Sequence, residues 1–195
     1  QTMLLRVLNI DTDVRNLKQR NKFQYTIQDG NLMAEVFATE KFSENQLVYK
    51  SNNPFLGQVN ATQRYEYAFT AAILPLMAKE NDPWSVVLMN KYDARKDTAR
   101  RIFDRPYVEE EGYATNGKEN ITIRPLRLEK VTTKSGKETK VVGGPLLTGY
   151  ELRWDDGVVA IIDLLDNSIW FANNLDARDK LILSSISSAI LLKRM

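Results

Sequence analysis

LILSSISSAILL, the stretch from Leu181 to Leu192, decides the fold because it is a helical segment without a charged side chain. At 100° per residue five aliphatic side chains form one face and the serines lie opposite, within an arc that also contains Leu181, Leu191 and Leu192. A surface helix would normally carry charged residues on that second face, whereas serine hydroxyls can bond to carbonyls of the preceding turn. The pattern therefore predicts a helix buried on nearly all sides. The aliphatic face consists of Ile182, Leu183, Ile186, Ala189 and Ile190, and the serine face of Ser184, Ser185, Ser187 and Ser188.

Two other interpretations of this helix remain open, namely a helix with a single buried face and a helix lying in a membrane interface. At about 18 Å it is too short to span a bilayer. Asp176 is the predicted N-cap, and Asp179 suits the positive end of the helix dipole. Lys193 and Arg194 are predicted to lie in the last turn, where cations suit the dipole.

Strand and turn signals precede the helix through most of the chain. Phe23–Ile27 alternates apolar and polar residues, a turn follows at Asp29–Asn31, and Leu32–Ala38 continues as a second strand. Further predicted strands are Leu47–Tyr49, Trp84–Met89, Tyr107–Tyr113, Ile121–Val131, Tyr150–Trp154, Val158–Leu165 and Ile169–Ala172. The predicted breaks between them include Asn52–Pro54, Asn116–Gly117, a polar tip at Lys134–Lys140, Gly143–Pro145, Asp155–Gly157 and Asp166–Asn167.

The middle of the chain changes period. Apolar residues recur at steps of three and four between Ala61 and Lys79, which predicts an amphipathic helix that Pro75 kinks or ends. Asp93–Phe103 is a second predicted helix, with Asp97 and Arg101 spaced for an ion pair.

Together these elements predict an α+β fold, an antiparallel β-rich sheet or barrel packed around a buried C-terminal helix. With 195 residues, 43% of them hydrophobic and 27% charged, the chain is expected to form a single domain over residues 1–195.

Cysteine and histidine are both absent. Their absence excludes disulfides, thiol nucleophiles, zinc–thiolate and imidazole metal sites, and Ser-His-Asp or Cys-His catalysis. Acid–base chemistry would fall to carboxylates, lysines or tyrosines, and any metal would need oxygen ligands.

Two short motifs resemble ligand loops but fail at decisive positions. Gly112–Lys118 matches a phosphate-binding loop until Glu119, where magnesium coordination requires serine or threonine. We interpret it as a hairpin turn. Asp11 and Asp13 begin like a calcium loop, but Asn16 replaces its glycine and Lys22 its final glutamate. The sequence thus assigns no catalytic, cofactor-binding or metal-binding residue, and no cofactor is expected.

The densest carboxylate group near apolar strands consists of Asp155, Asp156, Asp163 and Asp166. Paired carboxylates can hydrolyse glycosidic bonds. Asp155, Asp156 and Asp166 occupy predicted turns, where aspartate is common. Asp163 lies inside a predicted strand, so it is the one candidate catalytic residue of this group.

Basic residues concentrate between Lys118 and Lys140, a segment that contains seven basic and three acidic residues. More cations surround the second predicted helix, namely Lys91, Arg95, Lys96, Arg100, Arg101 and Arg105. A solvated surface is the default interpretation, and a surface for an anionic partner is the alternative. Aromatic residues are not interleaved there as single-stranded nucleic acid requires, and the net charge is only +2. A nucleic-acid partner is therefore not expected.

No stretch reaches the ~20 apolar residues of a membrane-spanning helix. The chain begins at Gln1; we expect Met3 to be the natural start behind two additional residues, with a processing site before Gln1 as the alternative. The first case favours a cytoplasmic protein and the second an extracytoplasmic one.

FQYTIQDGNLMAEV, from Phe23 to Val36, resembles the early strand–turn–strand of tubby-like proteins of the LURP-one-related and scramblase type. NLDARDKLILSSISSAILL, from Asn174 to Leu192, is similar to their closing apolar helix. The resemblance implies a closed antiparallel barrel threaded by that helix, and lipid or membrane association as for some members. The predicted helices between Ala61 and Phe103 depart from this mostly-strand family pattern, and no site residue carries over.

Two functional hypotheses result. The first is a non-enzymatic binding or scaffold domain, tubby-like, with a lipid or protein partner. The alternative is a carboxylate-dependent hydrolase that uses Asp163 with a neighbouring aspartate, and such an enzyme requires two facing carboxylates in a cleft.

Overall fold

The computed structural model describes residues 10–51, 58–76, 82–95, 109–155 and 157–193. These residues form eleven strands and one helix. Their bounds are β1 (Ile10–Asp29), β2 (Leu32–Ser51), β3 (Gln58–Pro75), β4 (Trp84–Asp93), β5 (Glu109–Thr115), β6 (Asn120–Leu128), β7 (Lys130–Thr132), β8 (Glu138–Lys140), β9 (Leu146–Trp154), β10 (Gly157–Asp163), β11 (Ser168–Phe171) and α1 (Ala177–Leu191).

Nine of the strands form one antiparallel sheet in the order β1-β2-β3-β4-β5-β6-β9-β10-β11, and β7 and β8 form a separate ribbon. Helix α1 contacts β1, β2 and β3 at one end of the sheet and β10 and β11 at the other. The sheet must therefore curve around the helix. The predicted α+β class, with antiparallel strands packed against a C-terminal helix, is confirmed. In the described ranges no ladder joins β1 to β11.

The hairpin β1–β2 follows the predicted turn but is much longer than predicted. Its ladder runs from Asp29↔Leu32 to Ile10↔Ser51. Gly30 has a positive φ of 58°, which a side chain would disfavour in this two-residue turn. Phe23, Tyr25 and Ile27 face the helix because side chains alternate along the strand.

The predicted helix from Ala61 to Lys79 is wrong over the described residues, which form strand β3. Tyr67, Phe69, Ile73 and their odd-numbered neighbours point inward, and the residues between them face outward. The stretch is apolar at both odd and even positions, so a helical period fitted it by chance. Pairing with β2 and β4 on its two sides favours the strand. Residues 77–79 lie outside the described ranges.

The second predicted helix, Asp93–Phe103, is only partly described. Asp93 is the last residue of β4 and accepts a hydrogen bond from the backbone of Arg95 in the following turn. The first residues of this segment are therefore not helical. Residues 96–103, with the expected Asp97–Arg101 pair, lie outside the described ranges, as do 52–54.

The remaining strands and turns lie close to their predicted positions. Trp84–Met89 is confirmed within β4, whose even-numbered side chains are mostly buried. Turns are confirmed at Asn116–Gly117, at the polar tip around Gly136, at Gly143–Gly144 and at Asp166–Asn167.

Helix α1 is enclosed as predicted from Leu181 to Ile190, whereas Leu192 follows the end of the helix and is 52% exposed. Asp176 is the N-cap, and its carboxylate accepts a hydrogen bond from the Asp179 backbone at 2.7 Å. The buried residues are Leu181, Ile182, Leu183, Ser185, Ile186, Ser187, Ala189 and Ile190, so both the aliphatic face and half of the serine face are covered. Ser185 donates to the Leu181 carbonyl at 2.8 Å, which satisfies its hydroxyl inside the core.

Lys193 differs from its predicted position. The helix ends at Leu191, and no basic residue lies in its last turn. The Lys193 side chain instead turns into the sheet. Within the described residues, no helix has the length and hydropathy needed to cross a membrane.

Candidate functional sites

Asp163, the candidate catalytic residue, ends strand β10 and caps the turn that follows. Its carboxylate accepts hydrogen bonds from the backbone of Leu165 at 2.8 Å and of Asp166 at 3.3 Å. Asp155 adopts a positive φ of 52°, typical of a turn aspartate, and Asp156 lies outside the described ranges. The described contacts of Asp163 are those of a turn-forming residue, and the hydrolase stays a prediction.

The loop that resembles a phosphate-binding motif is a hairpin turn, as interpreted. Asn116 accepts hydrogen bonds from the backbone of Lys118 and Glu119, and Gly117 has a φ of 87°. Asp13 lies within β1 and accepts a hydrogen bond from the Val14 backbone. Among the described residues no group of three or more acidic side chains could hold a metal ion.

Part of the cationic excess between Lys118 and Lys140 is neutralised by ion pairs. Lys118 pairs with Asp82 at 2.6 Å, and Lys130 pairs with Glu138 at 3.2 Å across the β7–β8 ribbon. These pairs are exposed and so contribute little to stability. Of the predicted helix cations, only Lys91 and Arg95 fall in the described ranges.

A different group of residues forms a polar cluster on the inner face of the sheet, where helix α1 ends. We call it the inner polar cluster. The strand register explains it, because Tyr67, Asn90 and Glu110 lie opposite one another on β3, β4 and β5. Its members are Glu40, Tyr67, Glu110, Arg127, Tyr150 and Lys193.

Glu110 is the centre of this cluster. Its side chain is 0% exposed, so an ionised carboxylate there needs partners. Arg127 supplies an ion pair at 3.2 Å, and the Tyr150 hydroxyl donates to the other carboxylate oxygen at 2.6 Å. Glu110 is therefore held on both oxygens.

Lys193 reaches the cluster from the end of the helix. Its Nζ atom donates a hydrogen bond to the Tyr150 hydroxyl and lies 4.5 Å from the centre of the Tyr150 ring and 5.9 Å from that of Tyr67. Both distances fall within the range of cation–π attraction. The hydroxyl of Tyr67 is buried and has no hydrogen-bond partner among the residues that the structure describes.

Burial controls the ionisation of these groups. Desolvation lowers the pKa of Lys193 to about 8, although the carboxylates of Glu110 and Glu40 act in the opposite direction. Desolvation, together with the charge of Glu110, raises the pKa of Tyr150, and desolvation with the charge of Glu40 raises that of Tyr67. Both tyrosines therefore remain hydroxyl donors throughout the physiological pH range.

The sequence contains one signal for this cluster. Glu109, Glu110 and Glu111 stand in a predicted strand, where alternation forces at least one of them inward. The position of Lys193 beside the helix end predicts only a favourable interaction with the helix dipole. Their proximity depends on the register of distant strands, which no local pattern encodes.

The outer face of β1–β4 carries a second candidate site, which we call the basic groove. Two adjacent rows of outward residues cross the four strands in register: Arg20, Lys41, Ala68 and Met89 in one row, and Lys18, Ser43, Glu66 and Lys91 in the next. These residues line a groove of about 640 Å³. Small Ala68 and exposed Met89 leave an apolar floor between basic side chains.

The four cations of the groove are Lys18, Arg20, Lys41 and Lys91. Among the described residues none of them forms an ion pair, and the single acid of the groove, Glu66, pairs with Arg64. On the β1–β2 side this positive charge is thus left available to solvent or to a ligand, whereas on the other side the two rows continue to Glu111 and Glu109 of β5, opposite Met89 and Lys91. Of these four, only Lys91 lies in a stretch of the sequence with a local concentration of cations, because the other three are spread over two strands whose pairing brings them together.

Comparison with protein-family models, with curated proteins and with solved structures gives no match to this chain.

Proposed function

We propose that this domain is a non-enzymatic binding module whose basic groove holds the phosphorylated headgroup of an anionic lipid. The observation that carries the proposal is the arrangement of Lys18, Arg20, Lys41 and Lys91 around an apolar floor. Phosphate groups favour such cationic surroundings, and Met89 and Ala68 can contact the adjoining apolar part of a lipid.

The energetics support a membrane surface as the source of the anion. A lysine or arginine near an anionic bilayer contributes about 1 kcal/mol, so four of them suffice for reversible association. Screening limits this attraction to about 8 Å at physiological ionic strength. Binding through the groove should consequently weaken as salt rises.

We further propose that the domain is tubby-like. The enclosed, uncharged C-terminal helix and the β1–β2 hairpin support this proposal, since these are the segments on which the resemblance rests. The lipid association of some tubby-like proteins agrees with the proposed ligand. The hydrolase alternative gains no support from the Asp163 carboxylate, whose described hydrogen bonds come from the backbone of its own turn.

Vesicle co-sedimentation tests the lipid proposal. The full chain is mixed with neutral phosphatidylcholine vesicles and with vesicles that also contain phosphatidylserine or a phosphoinositide, at low and at high salt. We expect retention on the anionic vesicles only, and a loss of retention at high salt. Absence of retention at low salt would remove the lipid ligand and leave a protein partner.

Charge reversal within the groove provides the residue-level test. Lys41→Glu and Lys91→Glu should each reduce retention on anionic vesicles by about tenfold or more, because each adds repulsion where an anion binds. Lys134→Glu is the matched control, since Lys134 is exposed in the β7–β8 tip and changes the net charge equally. Equal losses in all three variants would mean that net charge, and not the groove, determines retention.

A further inference from the structure

We propose that the inner polar cluster is a carbonyl-binding site, in which the ε-amine of Lys193 forms an imine with a small apolar aldehyde or ketone. This inference concerns side chains on the inner face of the sheet, whereas the cations of the basic groove lie on the outer face.

The geometry supplies the groups that imine formation needs. The Lys193 Nζ atom is held by the Tyr150 hydroxyl and by two aromatic rings, so the amine is fixed in position. Tyr150 in turn donates to Glu110, which Arg127 holds in place. A positioned amine reacts faster than a mobile one because less orientational freedom is lost in the transition state.

The hydroxyl of Tyr67, which lacks a hydrogen-bond partner within the described ranges, also indicates a ligand. Tyr67 is 2% exposed, and a buried polar atom normally has a hydrogen-bond partner. A carbonyl oxygen placed beside Lys193 could accept a hydrogen bond from this hydroxyl. The hydroxyl would polarise the carbonyl and stabilise the negative charge that develops on its oxygen during attack.

The reaction balances without any further reagent. The neutral amine of Lys193 attacks the carbonyl carbon, and a C–N bond forms as the C=O π electrons move to oxygen. The nitrogen then loses its protons, the oxygen leaves as water, and a C=N bond remains. Water is the single by-product, and no oxidant or reductant takes part.

The neighbouring aromatic side chains indicate the class of ligand. Phe42, Tyr65 and Tyr92 form a row of aromatic rings on the inner face beside Tyr67, with ring centres 5.9 Å and 6.5 Å apart. Such a row suits an apolar or aromatic body attached to the carbonyl.

The ionisation of Lys193 also favours the reaction. Burial lowers its pKa to about 8, so roughly a quarter of the amine is neutral at pH 7.5, against about one part in a thousand for an ordinary lysine. Since the neutral amine is the nucleophile, Lys193 should react faster than exposed lysines.

Reductive trapping tests the proposal. The full chain is incubated with benzaldehyde and sodium cyanoborohydride at pH 7.5, and the sites of N-benzylation are followed in time by peptide mass spectrometry. We expect Lys193 to be modified at least about tenfold faster than Lys137, which is exposed in the β7–β8 tip. Modification of Lys193 at or below the rate of Lys137 would overturn the proposal.

Two tyrosine variants separate a built site from a merely nucleophilic lysine. Tyr67→Phe should slow the trapping of Lys193 several-fold because the donor to the carbonyl oxygen is lost. Tyr113→Phe, on the outer face of β5, should leave the rate unchanged. Equal trapping rates in the two variants would show that Tyr67 does not contact the carbonyl and would refute the site as described.

Discussion

Lys193 donates a hydrogen bond to the hydroxyl of Tyr150, a residue on strand β9 that lies 43 positions earlier in the chain. This contact ties the end of helix α1 to the middle of the sheet. It also places a cation at the boundary between the aliphatic core and the polar cluster. The groups that face this ammonium are the ring of Tyr67, the ring and hydroxyl of Tyr150, and the carboxylates of Glu40 and Glu110.

The first prediction is that the free energy of unfolding increases between pH 8 and pH 10. Burial lowers the pKa of Lys193 from about 10.5 to about 8, so in this range the unfolded chain binds more protons than the folded one. Stability then rises with pH, by at most about 1.4 kcal/mol per unit. Above pH 10 the raised pKa values of Tyr67 and Tyr150 act in the opposite direction, because these tyrosines ionise first in the unfolded chain.

Urea denaturation at a series of pH values measures this rise. Lys193→Met should remove it, whereas Lys137→Met, which replaces an exposed lysine, should retain it. A rise of the same size in Lys193→Met would assign the effect to another group.

The second prediction concerns two serines that are both fully buried in helix α1. The Ser185 hydroxyl donates to the Leu181 carbonyl, whereas the Ser187 hydroxyl has no hydrogen-bond partner in the described part of the chain. Ser187→Ala should raise the free energy of unfolding by about 1 kcal/mol, since it removes an unsatisfied buried group. Ser185→Ala should lower it by a similar amount. Chemical denaturation of both variants measures these changes in the free energy of unfolding. Equal changes of the same sign would contradict the prediction.

The sequence predicted those parts of the fold that depend on local chemistry. The helix cap at Asp176, the turn at Gly30 and the enclosure of Leu181–Ile190 follow from neighbouring residues. The helix predicted for Ala61–Lys79 is wrong over the described residues because the inner and outer faces of this stretch are both partly apolar. Hydrophobic periods of two and of about 3.6 residues therefore fit it almost equally well.

The two candidate sites could not be predicted from the sequence, and the reason is related. Glu110 and Lys193 meet only because β5 and the helix end lie on the same inner face. Likewise, Arg20 and Lys41 become neighbours only through the β1–β2 register. Such proximity depends on strand pairing over long distances along the chain, and the register of a pair is not visible in one strand alone.

The third prediction separates the structural role of Asp163 from a catalytic one. Asp163→Asn keeps an oxygen that can accept from the Leu165 backbone, so the free energy of unfolding should change by less than about 0.5 kcal/mol. Asp163→Ala removes the acceptor and should cost about 1 kcal/mol. Thermal unfolding of the two variants measures the difference. A loss of hydrolytic activity in Asp163→Asn, in a chain that stays folded, would instead favour the hydrolase.

The last prediction uses Gly149, where strands β9 and β10 approach each other closely. A Cβ atom added at Gly149 would lie 2.2 Å from the carbonyl oxygen of Ile162, a backbone atom that cannot rotate away. Gly149→Ala should therefore lower the free energy of unfolding by about 3 kcal/mol, at the upper end of overpacking costs. Gly157→Ala is the matched control, because a Cβ there meets nothing nearer than 3.8 Å. Urea denaturation should show little change for the control, and similar midpoints for the two variants would mean that β10 can shift away from β9 at little cost.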